Sequence, residues 1–322
     1  MRPLIASLRN RLTLFQYWLI AQLAFGVMAL LRLAPPDAAL NFADKAARTL
    51  GPISGRHKVA VDNLRQAYPE KSPHEHEAIA LDMWGNMGRL ATEYVFLDKL
   101  FDFNPATNGE NRVEIAKQGE PIFHRLRDEQ KPHLFFTGHL GNFEFLPIVA
   151  ASFGLQMTSM FRPPNNPYLA NYVLRRRSGA MGSLLASRRG VAFEVARILQ
   201  NNGNVGVLVD QHFTHGVPTT FFDRACESSP LVAKLTRNYE CDVYPARCIR
   251  LPGNRYRLEI QEALTLPRTE AGRIDVNATT QLLNDIVEGW VRDDPGQWMW
   301  FHKRWKIKKR KKKAAPKPAP AE

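Results

Sequence analysis

The chain has 322 residues, enough for one large domain or two small ones around a sizeable core. Hydrophobic residues at 44% and aromatics at 10% exclude a disordered chain, and three cysteines (Cys226, Cys241, Cys248) in no C-x-x-C pairing argue against a disulfide framework and fit ordinary buried thiols in a reducing compartment. The formal charge of +13 says less than it suggests, because nine Lys or Arg and no acid fall between Lys303 and Lys313 and the rest of the chain is only mildly basic.

Residues 1–13 carry Arg2, Arg9 and Arg11 and are polar enough to stay in water. Leu14 to Leu31, LFQYWLIAQLAFGVMALL, is apolar apart from Gln16 and Gln22, and its 18 residues reach the lower limit for a bilayer-crossing helix. Tyr17 and Trp18 near one end suit the interface. Arg32 follows and no A-x-A cleavage site comes after it, so residues 1–35 read as a retained membrane anchor and not as a signal peptide. Basic residues flank both ends, which leaves open whether the helix spans or lies in one leaflet. Pro35-Pro36 ends the segment. Helical spacing then runs through residues 37–102, where Ile79, Met83, Met87, Leu90 and Tyr94 recur at threes and fours. His74 and His76, at the polar start of that second helix, read as solvated.

From Val113 strands and helices alternate. VEIAKQ suggests a short strand or turn, IFHRLRDEQ a helix, LFF a buried strand, LQMTSMFRP a strand, PYLANYVLRRRSG and VAFEVARILQNNG helices, and NVGVLVDQ a strand. YPARCIRL and YRLEIQEAL look like paired strands before a final helix, VNATTQLLNDIVEGWVRDD. The pattern predicts an α/β fold with one central mixed, largely parallel sheet flanked by helices. No internal repeat is evident.

The most informative stretch is FFTGHLGNFEF, residues 135–145. A strand gives way at Thr137-Gly138, His139 sits at its mouth, and Asn142 can cap a helix whose first turn holds Glu144 at the positive end of the dipole. On a continuous helix His139 and Glu144 would not share a face, since five steps of about 100° make about 500°. Across a strand-to-helix corner they can meet, and a neutral imidazole held by a carboxylate is a general base near neutral pH. Gly138 and Gly141 leave room for a ligand. The bland alternative is a satisfied polar pair.

Four further places hold polar residues that the fold does not obviously need. Arg162 ends a strand and enters the rigid turn Pro163-Pro164-Asn165-Asn166-Pro167, on the same side of a parallel sheet as His139. Arg175, Arg176 and Arg177 follow one another on a helix and cannot all face one site; one of them can reach a phosphate or carboxylate. Asp210-Gln211-His212 closes an apolar strand at its carboxyl end, where ligands bind in open α/β sheets, which makes Asp210 a candidate site residue. Gln297-Trp298-Met299-Trp300-Phe301-His302-Lys303-Arg304-Trp305 fits a packed core corner, an interfacial belt or a nucleic-acid stacking surface. Residues 306–322 then form a polybasic, Ala/Pro-rich tail expected to be disordered.

Together these features resemble the lipid A biosynthesis (lauroyl/myristoyl) acyltransferases, within the lysophospholipid acyltransferase-like superfamily. The resemblance rests on one N-terminal apolar helix, GHLGNFE as a His-x4-acidic motif, FRPPNNP, the Asp210-Gln211 pair and PGQWMWFHKRWK, and it runs from the anchor to about Lys306. THGVPTTFFDRACESSP and the lysine tail depart from the family pattern. The resemblance implies an acyltransferase domain over residues 36–305 that moves a fatty acyl chain from an acyl carrier protein thioester to a hydroxyl of a lipid A precursor. His139 is then the base and Glu144 orients it, with no metal or cofactor and no nucleic-acid partner. It also implies backbone N–H groups at Gly141 or Asn142, or an arginine, as oxyanion donors. Arg162, Asp210 and one of Arg175 and Arg177 complete the expected site. The implied location is the cytoplasmic face of the inner membrane, among its lipids. The competing reading is transfer to another acceptor, a glycerolipid or ornithine lipid.

Overall fold

The computed structural model describes residues 2–104, 111–129, 131–178, 182–187 and 190–306, with the side chains of 2–9 and 177–178 outside that description. Arg177 and the lysine tail beyond Lys306 therefore lie outside the described side chains.

Five helices lead the chain: α1 (Arg2–Leu31), α2 (Pro36–Leu50), α3 (Gly55–Ala67), α4 (Pro73–Glu93) and the single turn α5 (Leu97–Leu100). Pro35-Pro36 stops α1 and starts α2, as a residue without an amide donor is tolerated only in a first turn. A capping box starts α4: the Ser72 hydroxyl accepts from the Glu75 amide while the Glu75 carboxylate accepts from the Ser72 amide. His76 is buried, with Nε2 2.8 Å from the Tyr68 carbonyl, which corrects the expectation that it is solvated. The α4 periodicity that marked Met83 and Leu90 as core is matched by their burial.

Strands and helices then alternate through β1 (Val113–Ile115), α6 (Gly119–Asp128), β2 (His133–Thr137), α7 (Phe145–Ser152), β3 (Met157–Phe161), α8 (Pro167–Ser178), β4 (Ser183–Ala186), α9 (Val191–Gln200) and β5 (Asn204–Leu208). A hairpin, β6 (Val217–Phe221) with β7 (Arg224–Ser228), is followed by α10 (Leu231–Tyr239), the long pair β8 (Asp242–Leu251) and β9 (Arg255–Ile260), and α11 (Val276–Asp293). The main sheet has the order β1-β9-β8-β2-β5-β3-β4. Its pairs are parallel except β8 with β9, so the expected mixed, largely parallel sheet is the one observed. The 214–230 stretch read as variable contains the hairpin, and β4 and α10 were not foreseen.

Leu134 and Phe136 of β2 point to one face of the sheet, among α3, α4, α9, α11 and the C-terminal tryptophans. Phe135 points to the other, with α6 and α7. A strand buried on both faces reads as a continuous apolar run, which is why LFF carries no alternation. The register pairs Thr137 with Leu208 as the last residues of β2 and β5. Two steps further along each chain come His139 and Asp210, side by side at the carboxyl edge of the sheet.

Candidate active site

The Asp210 carboxylate accepts three hydrogen bonds at this edge. Oδ1 is 2.8 Å from His139 Nδ1, while Oδ2 accepts from the His139 amide at 2.7 Å and from Trp298 Nε1 at 2.7 Å. Asp210 is 1% exposed. Burial pushes its carboxyl upward, but attraction to His139 and the hydrogen bonds outweigh burial and hold it well below the usual carboxylate range. An ionised acceptor on Nδ1 fixes the imidazole with its proton there, which leaves Nε2 as the basic nitrogen. Gln211 Nε2 lies 3.1 Å from that nitrogen. Phe143 meets the ring edge-on with centroids 5.1 Å apart.

The carboxylate in hydrogen-bond contact with the His139 ring is Asp210. His139 Nδ1 is held by Asp210, because the parallel register of β2 and β5 brings residues 71 apart into contact. Glu144 is buried, immediately ahead of α7, and its amide donates to Asn142 Oδ1 at 3.1 Å. Asn142 thus closes a local turn, and the helix starts at Phe145, later than expected.

Gly141 and Asn142 do not supply free oxyanion donors. The Gly141 amide donates to the Gln297 carbonyl at 3.1 Å and the Asn142 amide to the Cys248 carbonyl at 3.2 Å. Both bonds tie the corner to β8 and to the C-terminal strip. Gly141 has φ +54°, and a Cβ there would stand 2.1 Å from the Cys248 carbonyl oxygen, so only glycine fits. Asn142 is fully buried and its side-chain Nδ2 donates to Glu93 Oε2 at 2.7 Å. Beneath it lies a network that the sequence did not signal: Arg250 pairs with Glu93 and Asn86, and the Tyr256 hydroxyl also meets Glu93. Burial opposes the Arg250 charge, but Glu93 more than restores it and raises the guanidinium above its ordinary value.

Above His139 opens a cleft of about 520 Å³, lined among others by Arg56, Arg162, Glu144, Gln211, Met299 and His302. Arg162 is exposed there, at the end of β3 as expected. Arg175 is not among the cleft residues. It lies with Arg176 and Tyr172 along a groove between α8 and α1. His302 was missed as a cleft residue: burial lowers its imidazole to about 4, against a smaller upward pull from Asp210, and its Nδ1 is buried without a hydrogen-bond partner. The strip holding it is a packed core corner, with Trp298 and Trp300 fully buried and ring centroids 4.7 Å apart. Buried Arg304 fastens the strip to the hairpin through the Glu227 carbonyl and Ser228, and to α11 through Asn284.

A second, apolar pocket lies against the same corner. Phe143, Glu144 and Leu208 border both spaces, and the pocket continues past Met157, Met160 and Gly206. No Ser, Thr or Cys lines the cleft among the described residues, and all three cysteines are buried, with burial raising the thiol of Cys241 to about 11. Among the described residues the one cluster with metal-like donors, Glu129, His133 and Asp242, lies at the opposite end of the sheet, and Lys131 Nζ sits 2.8 Å from Asp242 and 3.3 Å from Glu129, so an ammonium already neutralises it.

A histidine held by a buried carboxylate at the carboxyl ends of parallel strands, between a polar cleft and an apolar pocket, is an arrangement that can carry general-base chemistry. The profile of the bacterial lipid A biosynthesis acyltransferases matches residues 6–307, nearly the whole chain, and the chain belongs to that family. No curated protein matches it. Membership makes it an acyltransferase of lipid A biosynthesis.

Proposed function

We propose that the chain transfers a fatty acyl group from an acyl carrier protein thioester to a hydroxyl of a lipid A precursor, as a secondary acylation, with His139 as general base and Asp210 as its positioning carboxylate. The observation that carries the mechanism is the Asp210 grip on Nδ1, which leaves Nε2 basic beside the cleft.

In this reading the acceptor hydroxyl displaces the Gln211 amide from Nε2. Its oxygen attacks the thioester carbonyl carbon while its proton passes to Nε2, giving a tetrahedral oxyanion and an imidazolium that Asp210 stabilises. Collapse breaks the carbon–sulfur bond, and the departing thiolate takes the proton back from Nε2. Base catalysis of this kind is worth on the order of 10²–10⁴-fold. No acyl-enzyme forms in this reading, in keeping with a cleft lined by no Ser, Thr or Cys among the described residues. Since the Gly141 and Asn142 amides are engaged, charge on the oxyanion falls to a cleft guanidinium, Arg162 or Arg56.

The shared border at Phe143 and Glu144 supports an acyl chain in the apolar pocket and a phosphorylated sugar in the cleft, with the thioester carbon between them. A basic rim favours both an acidic carrier protein and a phosphorylated acceptor. The site would work at the cytoplasmic face of the inner membrane, where carrier protein and lipid acceptor are both within reach. The experiment is transfer from acyl carrier protein thioesters to a panel of acceptors: a lipid A precursor, a glycerolipid and an ornithine lipid. Transfer confined to either of the last two sinks the acceptor assignment.

A further inference from the structure

Helix α1 contains a segment, Asn10–Leu31, long and apolar enough to cross a membrane, yet its contacts with the rest of the chain run along its length instead of leaving from one end. Asn166 Nδ2 donates to the Tyr17 carbonyl at 2.7 Å. Ala21 is fully buried. Phe25 meets the Tyr172 ring with centroids 5.5 Å apart, and Met28, Leu31 and Ala34 pack on the core around α5 and α7. Arg32, just past the helix, pairs with Asp98 at 2.9 Å. Tyr17, Ala21, Phe25 and Met28 are spaced by fours and threes, one continuous face of the helix. The opposite face is apolar and open: Leu12, Leu19, Leu23 and Leu30 lie within about 20° of one line and are 47% to 69% exposed.

From Tyr17 to Leu31 this docked stretch is about 21 Å long, some two-thirds of a hydrocarbon core of about 30 Å. If α1 crossed the bilayer, the elements docked on it would have to enter with it. The irregular backbone at Pro163–Asn166 would stand beside Tyr17 well inside the hydrocarbon, and Arg175 and Arg176 would line a groove against Phe25 and Met28. Irregular backbone exposed to lipid is not tolerated there, and guanidinium groups are costly. An in-plane helix meets neither objection: the domain stays on the water side, while the outer face sinks about 5–10 Å to the acyl boundary.

We propose that α1 lies in the plane of a single leaflet and that the protein is monotopic, with residue 10 on the same side of the membrane as the catalytic domain. Further apolar side chains that follow it in the chain, Leu33, Phe42, Leu50 and Ile53, are also exposed, ahead of Arg56, which lines the cleft. This proposal concerns α1 alone and does not depend on the acyl-transfer reading.

The test uses the full chain in sealed vesicles of mixed zwitterionic and anionic phospholipid. Asn10→Cys and Gln156→Cys are combined in one protein; both positions are exposed, and Gln156 lies at the amino-terminal ends of the strands, remote from the cleft. The three native cysteines are buried. After reaction with a membrane-impermeant maleimide, intact mass counts the labels on each molecule. A monotopic helix gives molecules with two labels or none, whereas a spanning helix gives one label on every molecule. Environment-sensitive probes at Leu12→Cys, Leu19→Cys, Leu23→Cys and Leu30→Cys, quenched by lipids brominated at known depths, give a second reading that holds even where residue 10 reacts poorly. Equal depth at all four positions is expected. A profile deepest at 19 and 23 and shallow at 12 and 30 overturns the proposal.

Discussion

Asp210→Asn tests the mechanism at the point where the geometry makes the sharpest demand. All three groups around the side chain are donors: His139 Nδ1–H and, on the other oxygen, the His139 amide and Trp298 Nε1–H. An asparagine has one carbonyl oxygen and one amide nitrogen. Placing its oxygen where Oδ2 stands keeps two of the three bonds and turns the NH₂ toward Nδ1. The imidazole must then accept at Nδ1 and carry its proton on Nε2, the nitrogen that has to take the acceptor's proton. The variant keeps nearly the same volume and folds, yet it holds the wrong tautomer and lacks the charge that stabilises the imidazolium. Loss of the whole base contribution predicts a fall in kcat of about 10²–10⁴-fold, or about 2.7–5.4 kcal/mol at about 1.36 kcal/mol per decade, with KM for the acceptor little changed. The assay is steady-state transfer to a lipid A precursor, with thermal unfolding as a check on folding. Nitrogen NMR of labelled histidine follows the tautomer directly: the Nδ1–H form of His139 is lost in Asp210→Asn and kept in Glu144→Gln. A kcat within tenfold of the parent, or an unchanged His139 tautomer in Asp210→Asn, refutes the assignment.

Three further outcomes follow from the same structure. Glu93→Gln leaves the buried Arg250 guanidinium without its charge partner, which costs about 3–5 kcal/mol and lowers the melting temperature by on the order of 10 °C; a shift of only a degree or two would show that the network under Asn142 is not what holds the corner. Because His302 has its folded-state value lowered to about 4, from an ordinary value near 6.5, only the unfolded chain takes up this proton as pH falls from about 6.5 to about 4. Stability is therefore lost across that window and is fully present above it. The upper bound is about 3 kcal/mol, reduced to about 1–2 by solvent screening of a partly open ring, and thermal melts of His302→Gln should lack that share of the acid loss. Gly206→Val adds bulk to the apolar pocket where even a Cβ would stand 2.9 Å from Met157 Cε; competition among acyl donors should then shift toward shorter chains, and an unchanged chain-length profile would remove the acyl chain from that pocket.

What could be read in the chain, and what could not, divides by the range of the physics involved. The apolar run through Leu134–Phe136, the glycine turn and the histidine after it are local signals, as is an apolar strand ending in Asp210, and each lies where its pattern put it. The pairing of His139 with Asp210 is not local. It depends on β2 and β5 being neighbours in a given register, and a carboxylate five residues away along the chain was the nearer choice on paper. The same holds for Gly141 and Asn142, whose amides look free at the start of a helix until β8 and the C-terminal strip are brought against them. His76 has a polar local sequence, but its burial is set by the carbonyl of Tyr68 on the preceding turn.

Trp298 shows how far the site depends on distant segments. The aromatic strip around it had three readings, and the packed corner is the one observed, yet its indole N–H is also one of the three donors that keep Asp210 ionised while fully buried. A buried carboxylate with fewer donors would drift upward toward protonation, and a protonated Asp210 could no longer fix His139 with Nε2 free. In the proposed mechanism the basicity of Nε2 thus rests on contacts supplied by residues 139, 210 and 298, and the corner that carries His139 rests on Glu93 and Arg250 below. Substitutions in the strip that leave the fold intact but remove the indole donor, Trp298→Phe above all, should therefore lower the rate with His139 still in place, through the protonation state of its partner.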